Sequence, residues 1–183
     1  MKEKRFSREQ LKSCVLVSIF SAIIAVSSFI TIPSPIPFTL QTLAIFSALT
    51  ILGGKRGVLS VILYIFLGII GLPVFSGFSG GLGALTGATG GYIFGFIFTA
   101  LIYHIITGIL GNSTKIKSVG LILGLLACYI TGTLWYCAVY LNSLNFESIL
   151  SAVAICVAPF IIPDLIKTAA AILIGNRLSA FKF

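Results

Sequence analysis

The feature that most constrains this chain is a succession of long apolar segments with very little charge. Six segments can be read, at roughly 11–30, 38–53, 57–72, 90–111, 119–141 and 157–176. A membrane-spanning helix needs about 20 apolar residues, so the second and third segments are short for a span. Only 9% of the residues are charged, whereas a soluble domain has about a quarter. We therefore predict an all-α integral membrane protein with six transmembrane helices, forming one transmembrane domain over residues 1–183.

Basic residues lie on alternate connections between these segments. Eleven of the twelve precede the first segment or follow the second, fourth or sixth: Lys2, Lys4, Arg5, Arg8, Lys12, Lys55, Arg56, Lys115, Lys117, Arg177 and Lys182. Lys and Arg in short loops are retained on the cytoplasmic side of a membrane. The pattern predicts that both termini are cytoplasmic. It also favours the lipid bilayer over nucleic acid as the partner of the net positive charge, because the basic residues are scattered over four short segments.

Two outward connections, at 31–41 and 73–92, are uncharged and rich in proline or glycine. Three of the six prolines fall in the first, and nine of the 19 glycines lie between Gly71 and Gly95. Irregular backbone at membrane depth is tolerated only where it packs on protein or lines a cavity. We predict that both connections close the outer end of a pocket. The alternative is that they merely pack on the helix ends.

The last apolar segment contains an acid and a base, Asp164 and Lys167. A charge at membrane depth costs about 2.5–3.5 kcal/mol on insertion scales, and such residues are functional candidates by default. At a spacing of three the two side chains share a helical face, so they can pair. We predict a ligand site here; the alternative is a pair that only holds helices together.

Two prolines, Pro159 and Pro163, precede this pair. Proline is tolerated in the first turn of a helix. The sequence therefore predicts a short outer helix over roughly 146–157, followed by the last spanning helix from about residue 159. The alternative is one long kinked helix from residue 148.

Four glycines recur every four residues, at Gly83, Gly87, Gly91 and Gly95. Such spacing lets a neighbouring helix or a ligand approach the backbone closely, and helix packing alone would explain it equally well.

The single histidine, His104, is predicted to be hydrogen-bonded to a neighbouring helix, with a proton relay as the alternative. No P-loop or HExxH motif occurs, so we expect no ATPase site, metal, cofactor or enzyme activity.

Three segments together resemble the signature segments of the BioY family, the biotin-binding S components of energy-coupling-factor (ECF) transporters. They are PFTLQT at 37–42, GLPVF at 71–75 continuing through GGLGALTGATGGY to Tyr92, and PDLIK at 163–167. The resemblance covers essentially the whole chain, and the central segment is the specific one. One position departs from the pattern, since Ala88 stands where the family usually has proline.

The resemblance implies a bacterial plasma-membrane protein that binds biotin near the outer face and has no ATPase of its own. Its implied partners are a transmembrane coupling protein and two ABC-type ATPases. Asp164 and Lys167 would meet the ureido ring and the carboxylate, in either order. Neutral contacts would come from Thr39, Gln41 and Tyr92, and packing on the rings from Phe75, Gly81 and Gly83.

S components usually dock through small residues on the first helix, typically spaced as Ala-x-x-x-Ala. The nearest matches here are Ser18 with Ala22 and Ser21 with Ala25.

Two rival functions remain open: an S component for another vitamin, and a membrane enzyme or helical assembly factor that transports nothing. An S component for another vitamin would have the same architecture, and only its loop residues would decide the specificity. Titration of the purified chain with a panel of vitamins would distinguish it from a biotin-binding S component. An enzyme would need a second titratable group beside the acid and base.

Overall fold

The computed structural model describes residues 7–34 and 36–178 of the chain, which form helices joined by short irregular segments. Six of the helices have twelve or more residues: α1 (Arg8–Phe29), α2 (Gln41–Leu52), α3 (Gly54–Ile69), α5 (Gly90–Leu110), α6 (Thr114–Trp135) and α8 (Ile161–Leu178). Two are shorter, namely α4 (Leu82–Thr86) and α7 (Phe146–Cys156). Each apolar segment predicted from the sequence therefore corresponds to one long helix.

Four stretches of the described chain are long and apolar enough to cross a membrane: Arg8–Phe29, Gly90–Leu110, Thr114–Tyr140 and Phe146–Leu178. The stretch Gln41–Leu52 is apolar but shorter. Large apolar side chains lie on the outer surface, such as Ile109 at 75% exposed and Ile162 at 71%. Soluble monomers rarely expose so large an apolar surface. We therefore infer that these side chains face lipid. The chain is a multi-pass membrane protein.

The end of the chain follows the two-helix prediction rather than the single kinked helix. Helix α7 ends at Cys156, and Val157 leaves the helical region with φ −125° and ψ −53°. A 3₁₀ turn, Ala158–Phe160, then leads into α8. Pro163 lies in the first turn of α8, where a missing N–H costs no intrahelical hydrogen bond. The break places Asp164 in the same first turn.

The two outward connections fold against the helix ends. In the first, β1 (Thr31–Ile32) pairs antiparallel with β2 (Phe38–Thr39). In the second, Ser28 of α1 donates a hydrogen bond of 2.8 Å to the carbonyl of Val74. The amide of Gly81 donates one of 2.7 Å to the carbonyl of Gly68 on α3. These bonds satisfy backbone groups that lipid could not.

Helices α5 and α6 make the most extensive contact in the molecule, and glycine makes that contact close. A Cβ at Gly91 would lie 2.2 Å from the Cβ of Trp135, and one at Gly95 would lie 2.8 Å from the Sγ of Cys128. At Gly83 a Cβ would meet nothing within 4 Å. In the series of four glycines, Gly91 and Gly95 thus serve helix packing, whereas the space beside Gly83 is empty.

Candidate functional site

The centre of the candidate site is the Asp164–Lys167 pair on the buried face of α8. The side chains are buried, with Asp164 3% and Lys167 7% exposed, and the Nζ of Lys167 lies 2.9 Å from the Oδ1 of Asp164. The pair arises locally, because residues three apart on a helix are neighbours. Removal of one partner would leave the other charge buried without a counter-charge, which is strongly unfavourable.

Helices α2 and α6 complete the coordination of the pair. Thr42, in the first turn of α2, donates to Asp164 Oδ1 at 3.0 Å and accepts from Lys167 at 3.0 Å. Lys167 also donates to the carbonyl of Thr39 at 2.8 Å. Tyr129 of α6 donates to the other carboxylate oxygen, Oδ2, at 2.7 Å. Three helices therefore converge on two charged side chains.

One aromatic ring packs on the ammonium group, and a second ring packs on the first. The Nζ of Lys167 lies 4.0 Å from the centroid of the Phe38 ring, and this geometry gives a cation–π attraction. Phe38 stacks in turn on Phe160, with ring centroids 5.8 Å apart. The hairpin residue and the turn before α8 thus fix the position of the lysine head group.

A small cavity of about 70 Å³ adjoins this network. Its lining is mainly apolar and aromatic and comes from both outward connections and from α2, α5, α6, α7 and α8. The lining residues are Ile36, Pro37, Thr39, Gln41, Thr42, Phe75, Ser76, Thr89, Tyr92, Ile93, Phe96, Leu125, Cys128, Tyr129, Cys156, Phe160, Asp164 and Lys167.

Six of the eight binding residues predicted from the sequence line this cavity: Asp164, Lys167, Tyr92, Gln41, Thr39 and Phe75. Gly81 and Gly83 are not among the lining residues. Gly81 is the N-cap residue of α4, with φ +78°, and Gly83 is an exposed residue of that helix. These two glycines shape the connection outside the cavity, since positive φ favours glycine. The prediction that the outward connections close a pocket agrees with the lining contributed by residues 36–37 and 75–76.

A chain of neutral hydrogen bonds runs along one wall. The hydroxyl of Thr39 donates to the Gln41 side-chain oxygen at 3.0 Å, and the Gln41 amide donates to the hydroxyl of Tyr64 at 2.5 Å. The ring of Tyr64 meets Phe75 edge-on, with centroids 5.6 Å apart. Gly68 leaves the space for Phe75, because a Cβ there would lie 2.0 Å from the ring. The wall is therefore fixed before any ligand arrives.

Tyr92 lines the cavity, and its hydroxyl hydrogen-bonds to partners other than the Asp164–Lys167 pair. The hydroxyl donates to the carbonyl of Cys156 at 3.3 Å and lies 3.4 Å from the Thr133 hydroxyl. Gly132 makes room for the ring, since a Cβ there would lie 2.4 Å from it. Tyr92 thus joins α5 to the end of α7.

Two residues that donate hydrogen bonds to Asp164 were not identified from the sequence, Thr42 and Tyr129. Thr42 lies in the 37–42 segment, and its position three residues after Thr39 was the available signal. Tyr129 has no such signal, because a tyrosine in an apolar helix is ordinary. Its role depends on the packing of α6 against α8.

The two candidate docking pairs on α1 face in different directions. Ser21 and Ala25 are buried, and Ser21 donates to the carbonyl of Ser60 on α3 at 2.8 Å. Ser18 and Ala22 are exposed. A partner could therefore reach Ser18 and Ala22 but not Ser21 and Ala25.

His104 is also exposed, and its ring packs near Gly54. The predicted hydrogen bond from this ring to a neighbouring helix is not found among the described residues.

Comparison with known proteins gives one consistent result. The family model described as "BioY family" matches residues 1–182. A probable biotin transporter BioY of Pyrococcus horikoshii is 36% identical over 168 residues, which are 91% of this chain and 96% of that protein. The biotin transporter BioY of Thermotoga maritima is 37% identical over 169 residues, 92% and 96% of the two chains.

A solved structure is also similar to the chain. It is the S-component for biotin from an ECF-type ABC transporter, with a TM-score of 0.83 and 26% sequence identity. The similarity covers 96% of this chain and 95% of the other. The similarity in sequence and the similarity in fold therefore extend over nearly the same residues.

Proposed function

The chain belongs to the BioY family, and we infer that it is the biotin-binding subunit of a vitamin uptake transporter of the ECF type. The observation that carries this function is the cavity beside the Asp164–Lys167 pair. Its apolar and aromatic lining suits the biotin bicycle, and a few fixed polar groups suit the ureido ring. A member of this family is a transporter component and not itself an enzyme.

We propose six transmembrane helices with both termini in the cytoplasm. The support is the charge pattern, since basic residues in short loops stay inside. Helices α2 and α3 are 12 and 16 residues long, so they would span with help from the connections that flank them. In this orientation the cavity opens near the outer face of a bacterial plasma membrane.

We further propose that transport requires a transmembrane coupling protein and two ABC-type ATPases. The exposed small residues Ser18 and Ala22 support docking through α1, because small side chains let helices approach closely in lipid. In this scheme the chain supplies substrate recognition, and ATP hydrolysis by the partners supplies the energy. No cofactor is needed for recognition, and biotin is the cargo.

Uptake of labelled biotin tests this function in cells that lack their own biotin transporter. Expression of the chain with an ECF module should give ATP-dependent biotin accumulation, and the module alone should not. The matched control is a chain with Lys167→Ala, which should accumulate less biotin than the wild type when the two are compared at equal amounts in the membrane. Accumulation of a different vitamin but not of biotin would favour the rival function, an S component of other specificity.

A further inference from the structure

A groove runs between α1 and α3 on the lateral surface of the helix bundle, separate from the cavity beside Asp164 and Lys167. Its volume is about 400 Å³. The lining residues are Ser13, Cys14 and Val17 of α1 and Leu59, Ile62, Leu63 and Phe66 of α3. None of them lines the cavity at the candidate site. We call this feature the α1–α3 groove.

The α1–α3 groove is open to the surroundings of the protein. Leu59, Ile62 and Phe66 line it and yet remain roughly half exposed. Elsewhere the two helices are in contact, since the hydroxyl of Ser21 donates to the carbonyl of Ser60 at 2.8 Å and both residues are buried. Exposed apolar side chains of this kind mark contact with a membrane or a partner. The groove is therefore a place where something apolar covers the protein.

The wall that α3 contributes suits an acyl chain better than a partner helix. Interfaces between membrane helices are rich in small residues, because these let two backbones approach closely. All four lining residues of α3 are branched or aromatic, so they would hold another backbone away. The exposed small residues Ser18 and Ala22 of α1 are not among the lining residues. A flexible acyl chain can fill an irregular apolar groove, because it needs no close backbone contact.

One end of the groove is basic. Lys55 and Arg56 lie four and three residues before Leu59 in α3, so they share its helical face one turn away. Basic side chains at the membrane surface attract anionic lipid headgroups. The N-cap of α3, Gly53, also offers no side chain to the first amides of that helix, and a phosphate is a common acceptor at such a position.

Helix α1 adds positive charge at the same end. The two helices run in the same direction, because Ser21 of α1 bonds to Ser60 and Ser28 bonds to Val74, which follows α3. The first turns of both helices therefore lie on one side of the membrane. In the described part of the chain, the first two turns of α1 carry two basic residues and one acid, namely Arg8, Lys12 and Glu9. Together with the two basic residues of α3 they give this end of the groove a net positive charge.

We propose that the α1–α3 groove binds an acyl chain of an anionic phospholipid, whose phosphate lies beside Lys55, Arg56 and the first turn of α3. The apolar walls supply the contact area, and the basic end supplies the preference for a negative headgroup. The lipid belongs to the leaflet that the first turns of α1 and α3 face. This site is independent of the cavity beside Asp164.

The test is native mass spectrometry of the purified, delipidated full-length chain in detergent. The chain is titrated with phosphatidylglycerol and with phosphatidylcholine of the same acyl chains. Phosphatidylglycerol should bind at least fivefold more tightly, because its headgroup is anionic. Equal affinities for the two lipids would overturn the proposal.

A double variant, Lys55→Gln with Arg56→Gln, assigns the preference to the basic end of the groove. The two lipids should then bind within twofold of each other. The matched control is Lys115→Gln with Arg177→Gln, which removes the same charge from exposed positions outside the groove and should keep the wild-type preference. A preference that survives in the first variant, or is lost equally in both, would contradict the proposal.

Ile62→Trp tests the apolar part, because a larger side chain at this half-exposed position fills the groove. Both lipids should bind at least fivefold more weakly. Ile130→Trp, on the exposed surface of α6, is the control and should bind them as the wild type does. Unchanged lipid binding by Ile62→Trp would overturn the proposal. If that variant also lost coupled uptake, the groove would be a surface for a partner helix instead.

Discussion

The Nζ of Lys167 lies 2.9 Å from the Oδ1 of Asp164, one turn earlier on the same helix, and both side chains are almost fully buried. Neighbours on two other helices hold the pair: Thr42 on α2 and Tyr129 on α6. The ion pair is therefore both a local feature of α8 and the point at which three helices meet.

Lys167→Ala and Asp164→Ala should each weaken biotin binding at least tenfold, about 1.4 kcal/mol or more. Each change leaves an opposite charge buried without its partner. The two variants should differ in kind. Without Lys167 the remaining Asp164 charge repels the ligand carboxylate, so biotin should be weakened more than its amide. Without Asp164 the acceptor for the ureido ring is lost, so both ligands should weaken strongly.

Titration of both variants with both ligands measures these differences. Lys115→Ala is the matched control, since Lys115 is exposed and does not line the cavity, and it should bind as the wild type does. Variants that are folded and bind biotin normally would show that the pair only holds helices together.

Close packing of α5 on α6 should depend on Gly91. A Cβ at this position would lie 2.2 Å from the Cβ of Trp135, so Gly91→Ala should destabilise the protein by about 1–3 kcal/mol. Gly108→Ala on the same helix is the control, because a Cβ there meets nothing within 4 Å. Thermal melts in detergent should show a lowered midpoint for the first variant alone. Equal thermal midpoints for Gly91→Ala and Gly108→Ala would contradict the prediction, because α5 and α6 could then move apart at Gly91 without loss of stability.

Docking through α1 should depend on Ala22. Ala22→Trp should leave biotin binding intact but block coupled uptake, because a large side chain keeps a partner helix away. Ala25 is a poorer test, since it is 8% exposed and a tryptophan there would disturb the interior. Ile130→Trp, on the exposed surface of α6, is the control and should transport normally. Normal uptake by Ala22→Trp would place the docking surface elsewhere.

The proposed orientation predicts which positions react from each side of the membrane. Single cysteines at Lys55 and Lys115 should label only from the cytoplasm, and one at Glu147 only from outside. All three positions are exposed in the structure. Lys117 is only 8% exposed, so a cysteine there would label poorly from either side because it is buried. Labelling in intact cells, in a background without native cysteines, decides the question. Outside labelling at Lys115 would exclude the six-helix arrangement.

Local sequence patterns predicted much of this molecule. The six long helices follow from the six apolar segments, two of which are short for a span, and the short α7 follows from Pro159 and Pro163. The Asp164–Lys167 pair was found because charge in an apolar segment is rare and therefore conspicuous. Each of these features depends on residues close together in the chain.

Features that depend on packing between helices could not be predicted in this way. Tyr129 joins the site only because α6 lies beside α8, and its neighbourhood in the sequence is ordinary. Gly81 and Gly83 were selected through the family resemblance, and they are not among the residues that line the cavity. The burial of Ser21 and Ala25 likewise follows from contact between α1 and α3, as the bond from Ser21 to Ser60 shows.

The most direct test of the account is a titration of biotin into the purified full-length chain, with thiamine and riboflavin as competitors. The account predicts saturable binding of one biotin per chain, which neither competitor displaces, because the acceptor groups that line the cavity match the N–H donors of a ureido ring. A folded chain that binds no biotin, or that binds another vitamin more tightly, would contradict it.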